Sequence, residues 1–370
     1  MYKKFFMGIA AMAALTLVSC SSDDLNSLSD NSSKNEAISF DGYLGRSAVA
    51  VNGSRGSVVD KTTLQSEGFG VFGNYNSTGG QTSNPKFFNN QKVTYSTTES
   101  KWTYTPLKFW PANGEINFLA YAPYVVNKTL NNTSFDFNVA DKAADQQDLL
   151  WANAKGQITA NFASTKAKVK FHFYHALSRL GYTVKLSGNY PSTDVTFTLK
   201  KITLAGSPDG TTKKAFYSKG TIDLSKTNSE TGLWKADDTK QNFTWFDAGK
   251  QTVNITYVDP TKPADKPVSN GKDYLFVIPQ DFSSTADGAD KLYVIVEYEI
   301  NYKSGTPSTI SNKVYKQITP KFLQGKAYML NLTIGRPIEF DVDVTNGVED
   351  WGTDENINIG SNDNLWDGIE

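Results

Sequence analysis

One cysteine, two histidines and four arginines are the scarcest reactive side chains in this 370-residue chain, so unusual chemistry is sought there first. His172 and His175 lie in the run Val169-Lys170-Phe171-His172-Phe173-Tyr174-His175, where apolar and polar residues alternate. On a strand, a three-residue separation sends the two imidazoles to opposite faces, so they cannot share a metal there and a structural role is expected. Asp354-Glu355-Asn356-Ile357-Asn358 opens like a calcium loop, but its glycine comes one position late, at Gly360. Its twelfth position is Leu365 rather than a bidentate glutamate. Neither a Gly-x-Ser-x-Gly elbow nor a phosphate-cradling Gly-x-x-x-x-Gly-Lys-Ser/Thr occurs. Spacing singles out no carboxylate pair among the 38 acids. No catalytic residue, metal or cofactor is therefore expected, and the chain is not read as an enzyme.

Composition narrows the classes further. A balance of 37 basic against 38 acidic residues supplies no clustered charge for phosphate, which argues against a nucleic-acid partner. With 20% charged and 13% aromatic residues the chain is too apolar to stay disordered. A lone cysteine excludes a disulfide framework and a cysteine-based zinc site.

The cysteine has a better use. Met1–Lys4 is basic, residues 5–18 are apolar or small, and Leu17-Val18-Ser19-Cys20 follows. This reads as a secretory signal over residues 1–19, and its end resembles a bacterial lipobox. Cleavage between Ser19 and Cys20 would leave Cys20 at the new N-terminus for acylation. Each buried acyl CH₂ adds about 0.8 kcal/mol of membrane affinity, so a multiply acylated Cys20 anchors without a spanning helix. Residues 20–37 are rich in Ser, Asn and Asp and read as a disordered tether. The pair Asp23-Asp24 behind the cysteine resembles the signal that sends Bacteroidetes lipoproteins to the outer face of the outer membrane.

From Ile38 onward the elements are strands. Period-two alternation recurs in Ile116-Asn117-Phe118, in Tyr182-Thr183-Val184-Lys185-Leu186 and over residues 195–204, 253–257, 292–300, 328–334 and 340–344. Turn-forming clusters such as Pro208-Asp209-Gly210 and Asn270-Gly271 separate them. Only residues 140–155 have helical composition. The pattern predicts an all-β chain of two antiparallel β-sandwich domains, residues 38–165 and 166–352, followed by an acidic tail, residues 353–370.

Several phrases, in this order, resemble the fimbrillin family of Bacteroidetes. They are Phe69-Gly70-Val71-Phe72, Trp102-x-Tyr104-x-Pro106-Leu107-Lys108-Phe109-Trp110-Pro111 and Ile116-Asn117-Phe118-Leu119-Ala120-Tyr121-Ala122-Pro123. Further on come Asp148-Leu149-Leu150-Trp151-Ala152 and Phe171-x-Phe173-x-His175-Ala176-Leu177-Ser178-Arg179-Leu180. The resemblance spans residues 38–351 and implies two tandem transthyretin-like β-sandwich domains. It also implies a route: a lipoprotein precursor is cut after an arginine, its first strand leaves, and a strand of another pilus subunit fills the groove. Matching parts are present. Ile38, Phe40 and Leu44 share one face of a removable first strand, and Arg46 and Arg55 follow it in a stretch of Gly, Ser and Ala that suits proteolysis. Residues 338–344 and Asn356-Ile357-Asn358-Ile359 are the candidate donor strands, with stalk, tip and anchor roles all open. The partners implied are other pilus subunits, the outer membrane through the lipid before processing, and a host or glycan receptor at the cell surface. The competing reading is a lipid-anchored surface protein that stacks glycans on Trp102, Tyr104, Trp110, Trp234 and Trp245.

If Cys20 carries the lipid, growth with labelled palmitate should label the chain, and Cys20→Ala should abolish the label and release the protein from the membrane fraction.

Overall fold

Alternating sequence becomes strand along most of the chain in a computed structural model that describes residues 36–44, 58–78, 83–158, 167–228, 232–271, 273–335 and 339–346. Ser19, Cys20, Arg46, Arg55, the calcium-like loop and the donor candidate 356–359 lie outside the described residues. Ten strands are labelled: β1 (Phe40–Leu44), β2 (Phe69–Asn76), β3 (Ser83–Ser96), β4 (Lys101–Thr103), β5 (Glu115–Ala122), β6 (Ser134–Asn138), β7 (Leu150–Ile158), β8 (Val169–His175), β9 (Ser178–Leu186) and β10 (Val195–Ala205).

A seven-stranded sheet has the order β1-β8-β7-β5-β2-β3-β4. Only its β1–β8 pair is parallel; its other pairs are antiparallel. The sheet rolls so that the chain after β4 returns to β1, where Ala37 bridges Phe109. The rolled interior is aromatic, with Phe40, Phe69, Phe88, Phe118 and Phe171 all buried.

The later chain forms two more sheets. In one, β10 is flanked by Phe243–Asp247 and Leu292–Tyr302, and the latter pairs with Ser308–Ile318. In the other, β9 pairs with Val268–Ser269 and with Ala327–Gly335, which in turn pairs with Glu339–Asn346. Their inward residues share one core. Phe72, Leu119, Tyr121 and Trp151 of the first sheet belong to that same core, so this sheet is packed on both faces. Strand β6 crosses over to pair with Lys219–Asp223. The described residues accordingly belong to one compact unit.

Two expectations are corrected. The first sheet continues past Thr165, because β8 pairs with β1 and β7; its apolar positions Val169, Phe171 and Phe173 fill the aromatic interior. Residues 140–155 are not helical: Ala143–Asp145 is a single 3₁₀ turn, and Leu150 begins β7. Among the described residues the α-helix lies instead at Lys61–Glu67 (α1), where a cap and a stop outweigh weak propensity. Asp60 Oδ1 accepts from the Thr63 backbone N–H at 2.7 Å, and Gly68, at φ +74°, donates to Leu64 O at 2.9 Å.

Buried tyrosines give the fold an alkaline limit. Burial pushes the phenols of Tyr121 and Tyr298 up to about 12. A phenol pKa raised above its ordinary value of about 10 favours the folded state below that pH, and the contribution is lost as pH rises through the folded value. Spectroscopic titration should show tyrosinate absorbance and loss of β-structure rising together between about pH 10 and 12.

Candidate functional site

The segment 36–44 is hydrogen-bonded along both of its edges. On one side Ile38 N–H donates to Lys108 O at 2.8 Å and Trp110 N–H donates to Glu36 O at 2.9 Å. On the other, Val169 N–H donates to Ser39 O at 2.8 Å, and β1 continues in parallel register from Phe40↔Val169 to Leu44↔Phe173. Two side chains reinforce the seating. The Tyr104 hydroxyl donates to Ile38 O at 2.7 Å, and Trp102 Nε1 donates to Gly42 O at 3.2 Å. Burial raises the Tyr104 phenol to about 12, keeping it a donor throughout the neutral range.

Alternation decides which side chains enter the groove. Ile38 and Phe40 are fully buried, Gly42 faces inward, and Leu44 packs against the same core while half-buried. Phe40 is only 2% exposed. Its ring lies 5.4 Å from those of Phe88 and Tyr104, 5.5 Å from Phe118 and 5.6 Å from Phe171. At Gly42 the floor rises: a Cβ there would sit 3.1 Å from Phe69 Cε1 and 3.2 Å from Phe173 Cε2. The outward face carries Tyr43, 48% exposed, stacked on His172 at 4.7 Å, with Tyr174 stacked on His172 at 4.4 Å.

The chain re-enters the described structure at Val58, and Val59 is bolted down. Its N–H donates to Asp148 Oδ2 at 3.0 Å, and the same oxygen meets His175 Nδ1 at 2.8 Å. Asp148 is 1% exposed, so this contact is screened little by water. His172 and His175 thus lie on opposite faces of β8, as expected, one in an outward aromatic stack and one in a buried polar contact. Sequence reading missed the roles of Gly42 and Asp148. The phrase Phe40-Asp41-Gly42-Tyr43 was a signal for the first, since glycine inside a strand marks a close approach.

The glycan platform fails on burial. Trp102, Tyr104, Trp110 and Trp245 are core residues, and Trp234 is half-buried with its Nε1 donating to Ala176 O at 2.7 Å. The four buried rings serve the interior, where aromatic side chains supply a large buried area.

Three comparisons relate this chain to known proteins. A crystal structure of a fimbrial protein from Bacteroides vulgatus superposes with a TM-score of 0.59 at 20% identity, over 85% of this chain and 99% of that one. The fold is therefore the β-sandwich fold of fimbrial proteins. Residues 57–351 match the fimbrillin-like family, and the chain belongs to it. Fimbrium subunit Fim1C of Phocaeicola vulgatus is 25% identical over 95% of this chain and 97% of its own length.

Because Phe40 fills a closed ring of aromatics, Phe40→Ala should cost about 3–5 kcal/mol in chemical denaturation. Ser39→Ala, one residue away and outside the core, should stay within about 0.5 kcal/mol.

Proposed function

We propose that this fimbrillin-like pilus subunit, which supports adhesion at the cell surface, is exported as a lipoprotein on Cys20, trimmed after Arg46 or Arg55, and polymerised by strand exchange. The observation that carries the reading is the seating of residues 36–44. One short segment pairs with β8 through residues 39–44 and with the loop at Lys108–Trp110 through residues 36–38, and the segment bearing both arginines follows it directly.

Cutting behind this segment leaves it held only by non-covalent contacts. If it departs, β8 and residues 108–110 are left with unpaired backbone groups facing each other across an apolar trough. A strand from another subunit satisfies both edges at once and refills the side-chain pockets, so hydrogen bonding and apolar burial act in the same direction. Residues beyond the cut stay attached, because Val59 is anchored by Asp148 and packs in the aromatic core. Trimming therefore removes one strand without loosening α1 or β2.

The test is to treat the full chain with an arginine-specific protease, sequence the new N-terminus, and run the product unheated on a denaturing gel. The expected result is a terminus at Ser47 or Gly56 and a ladder of detergent-resistant multimers. An Arg46→Ala/Arg55→Ala double variant should stay monomeric. An uncut N-terminus on mature surface protein overturns the reading.

A further inference from the structure

The first strand is held by two kinds of contact, and they answer differently to acid. This inference rests on the strand-exchange reading above. The ladder to β8 and the burial of Ile38 and Phe40 involve no group that titrates near neutrality. The outward side chains differ. Asp41 stands opposite Lys170, and Tyr43 opposite His172, in the parallel register. The Tyr43 ring stacks on the imidazole at 4.7 Å and 26°, and Tyr174 stacks on it at 4.4 Å and 27°. His172 thus contacts two phenols, one on the removable strand and one on the strand that stays.

Imidazole is the side chain whose ordinary charge change falls between about pH 5 and 8. A protonated ring held against a phenol face gains from the ring quadrupole, and a neutral ring gains less. Burial, and then the nearby Tyr43 hydroxyl, push the Tyr174 phenol above its ordinary value, so it stays neutral while an imidazole titrates. The 3.2 Å contact between the Tyr174 hydroxyl and His172 Nδ1 serves both states, since the hydroxyl accepts from a charged ring and donates to the neutral Nε2–H tautomer.

The charged neighbours act in the same direction. On β8, Lys170 lies two residues before His172 on the outward face and disfavours its protonation; on β1, Asp41 opposite Lys170 offsets that charge. From β7, Trp151 stands opposite Tyr174 and carries no charge. A departing first strand takes Tyr43 and Asp41 with it and leaves His172 beside Lys170. The proton is therefore bound more tightly while the strand is seated, and by linkage the strand is held more tightly while the proton is bound. This hold is present in acid and is lost as pH rises through the imidazole range.

We propose that His172 is a pH-sensitive latch on the first strand: protonated, it clamps Tyr43 and keeps a cleaved subunit closed; neutral, it lets the strand go. Acid stores the cleaved subunit, and a return to neutral pH frees its groove for exchange.

The experiment cuts the full chain with an arginine-specific protease, quenches the enzyme, and divides the product between buffers of about pH 5.5 and 8 at one ionic strength, either side of the imidazole range. Size exclusion with mass spectrometry follows release of the first-strand fragment. Release should be about threefold faster at the higher pH. His172→Gln cannot take the proton and should release at one rate in both buffers. His172→Phe keeps a stacked ring without a titrating group and should be equally flat, whereas Asp41→Asn should keep the direction and shrink the ratio. A wild-type rate indifferent to pH, faster release in acid, or a pH dependence that survives in His172→Gln overturns the latch and leaves strand exchange standing. An uncut chain, or a cut strand released at neither pH, overturns the processing or exchange reading, and this inference with it.

Discussion

Hydrogen bonding along both edges of residues 36–44 is the interaction on which the first half of this protein depends. A sheet edge left open presents a row of unpaired donors and acceptors, and here one short segment covers β8 through residues 39–44 while its start, residues 36–38, bonds the loop at Lys108–Trp110. The same segment delivers Phe40 to the centre of an aromatic cluster, so the ladder and the core are completed by one piece of chain. Under the proposed cleavage, this closure would be held by non-covalent contacts alone. That property suits an assembly in which one strand is traded for another.

The rest of the architecture keeps the groove in shape. The outer side of the first sheet is buried by the second core, through Phe72, Tyr121 and Trp151. Polar ties cross the same boundary: Gln146 Oε1 accepts from Phe276 N–H at 2.6 Å, and Asn153 Nδ2 donates to Leu224 O at 2.8 Å. Together with the pairing of β6 to Lys219–Asp223, these contacts make the walls of the groove part of a larger body rather than a free sheet. The proposed strand exchange would draw on this support from behind. The buried Asp148–His175 contact does the same service locally, holding the chain at Val59 on the far side of the proposed cut.

Strand positions were legible because their cause is local. Val195–Ala205, Leu292–Tyr302 and Ala327–Gly335 alternate along their lengths, and each presents one face to a core. The inward residues of β1 were legible for the same reason. The short helix was written in the sequence as a cap and a stop, Asp60 and Gly68, yet its seven residues offered too few turns for an apolar stripe to stand out. Burial of the tryptophans was not legible. Trp102 and Trp110 sit in the core or on a surface according to how the sheet rolls, and no local pattern records that roll.

The sequence by itself determined the all-β character, the scarcity of catalytic side chains, the lipobox-like start, the face shared by Ile38, Phe40 and Leu44, and the resemblance to fimbrillins. Those properties follow from residue types and from spacing along the chain. Tertiary structure alone decided that β8 closes on β1 past the expected boundary, that β1 runs parallel to it, and that Gly42 lies between Phe69 and Phe173. Each of these joins residues separated by many positions, and pairing across such distances is chosen by how the sheets twist and pack together, which period-two alternation leaves open.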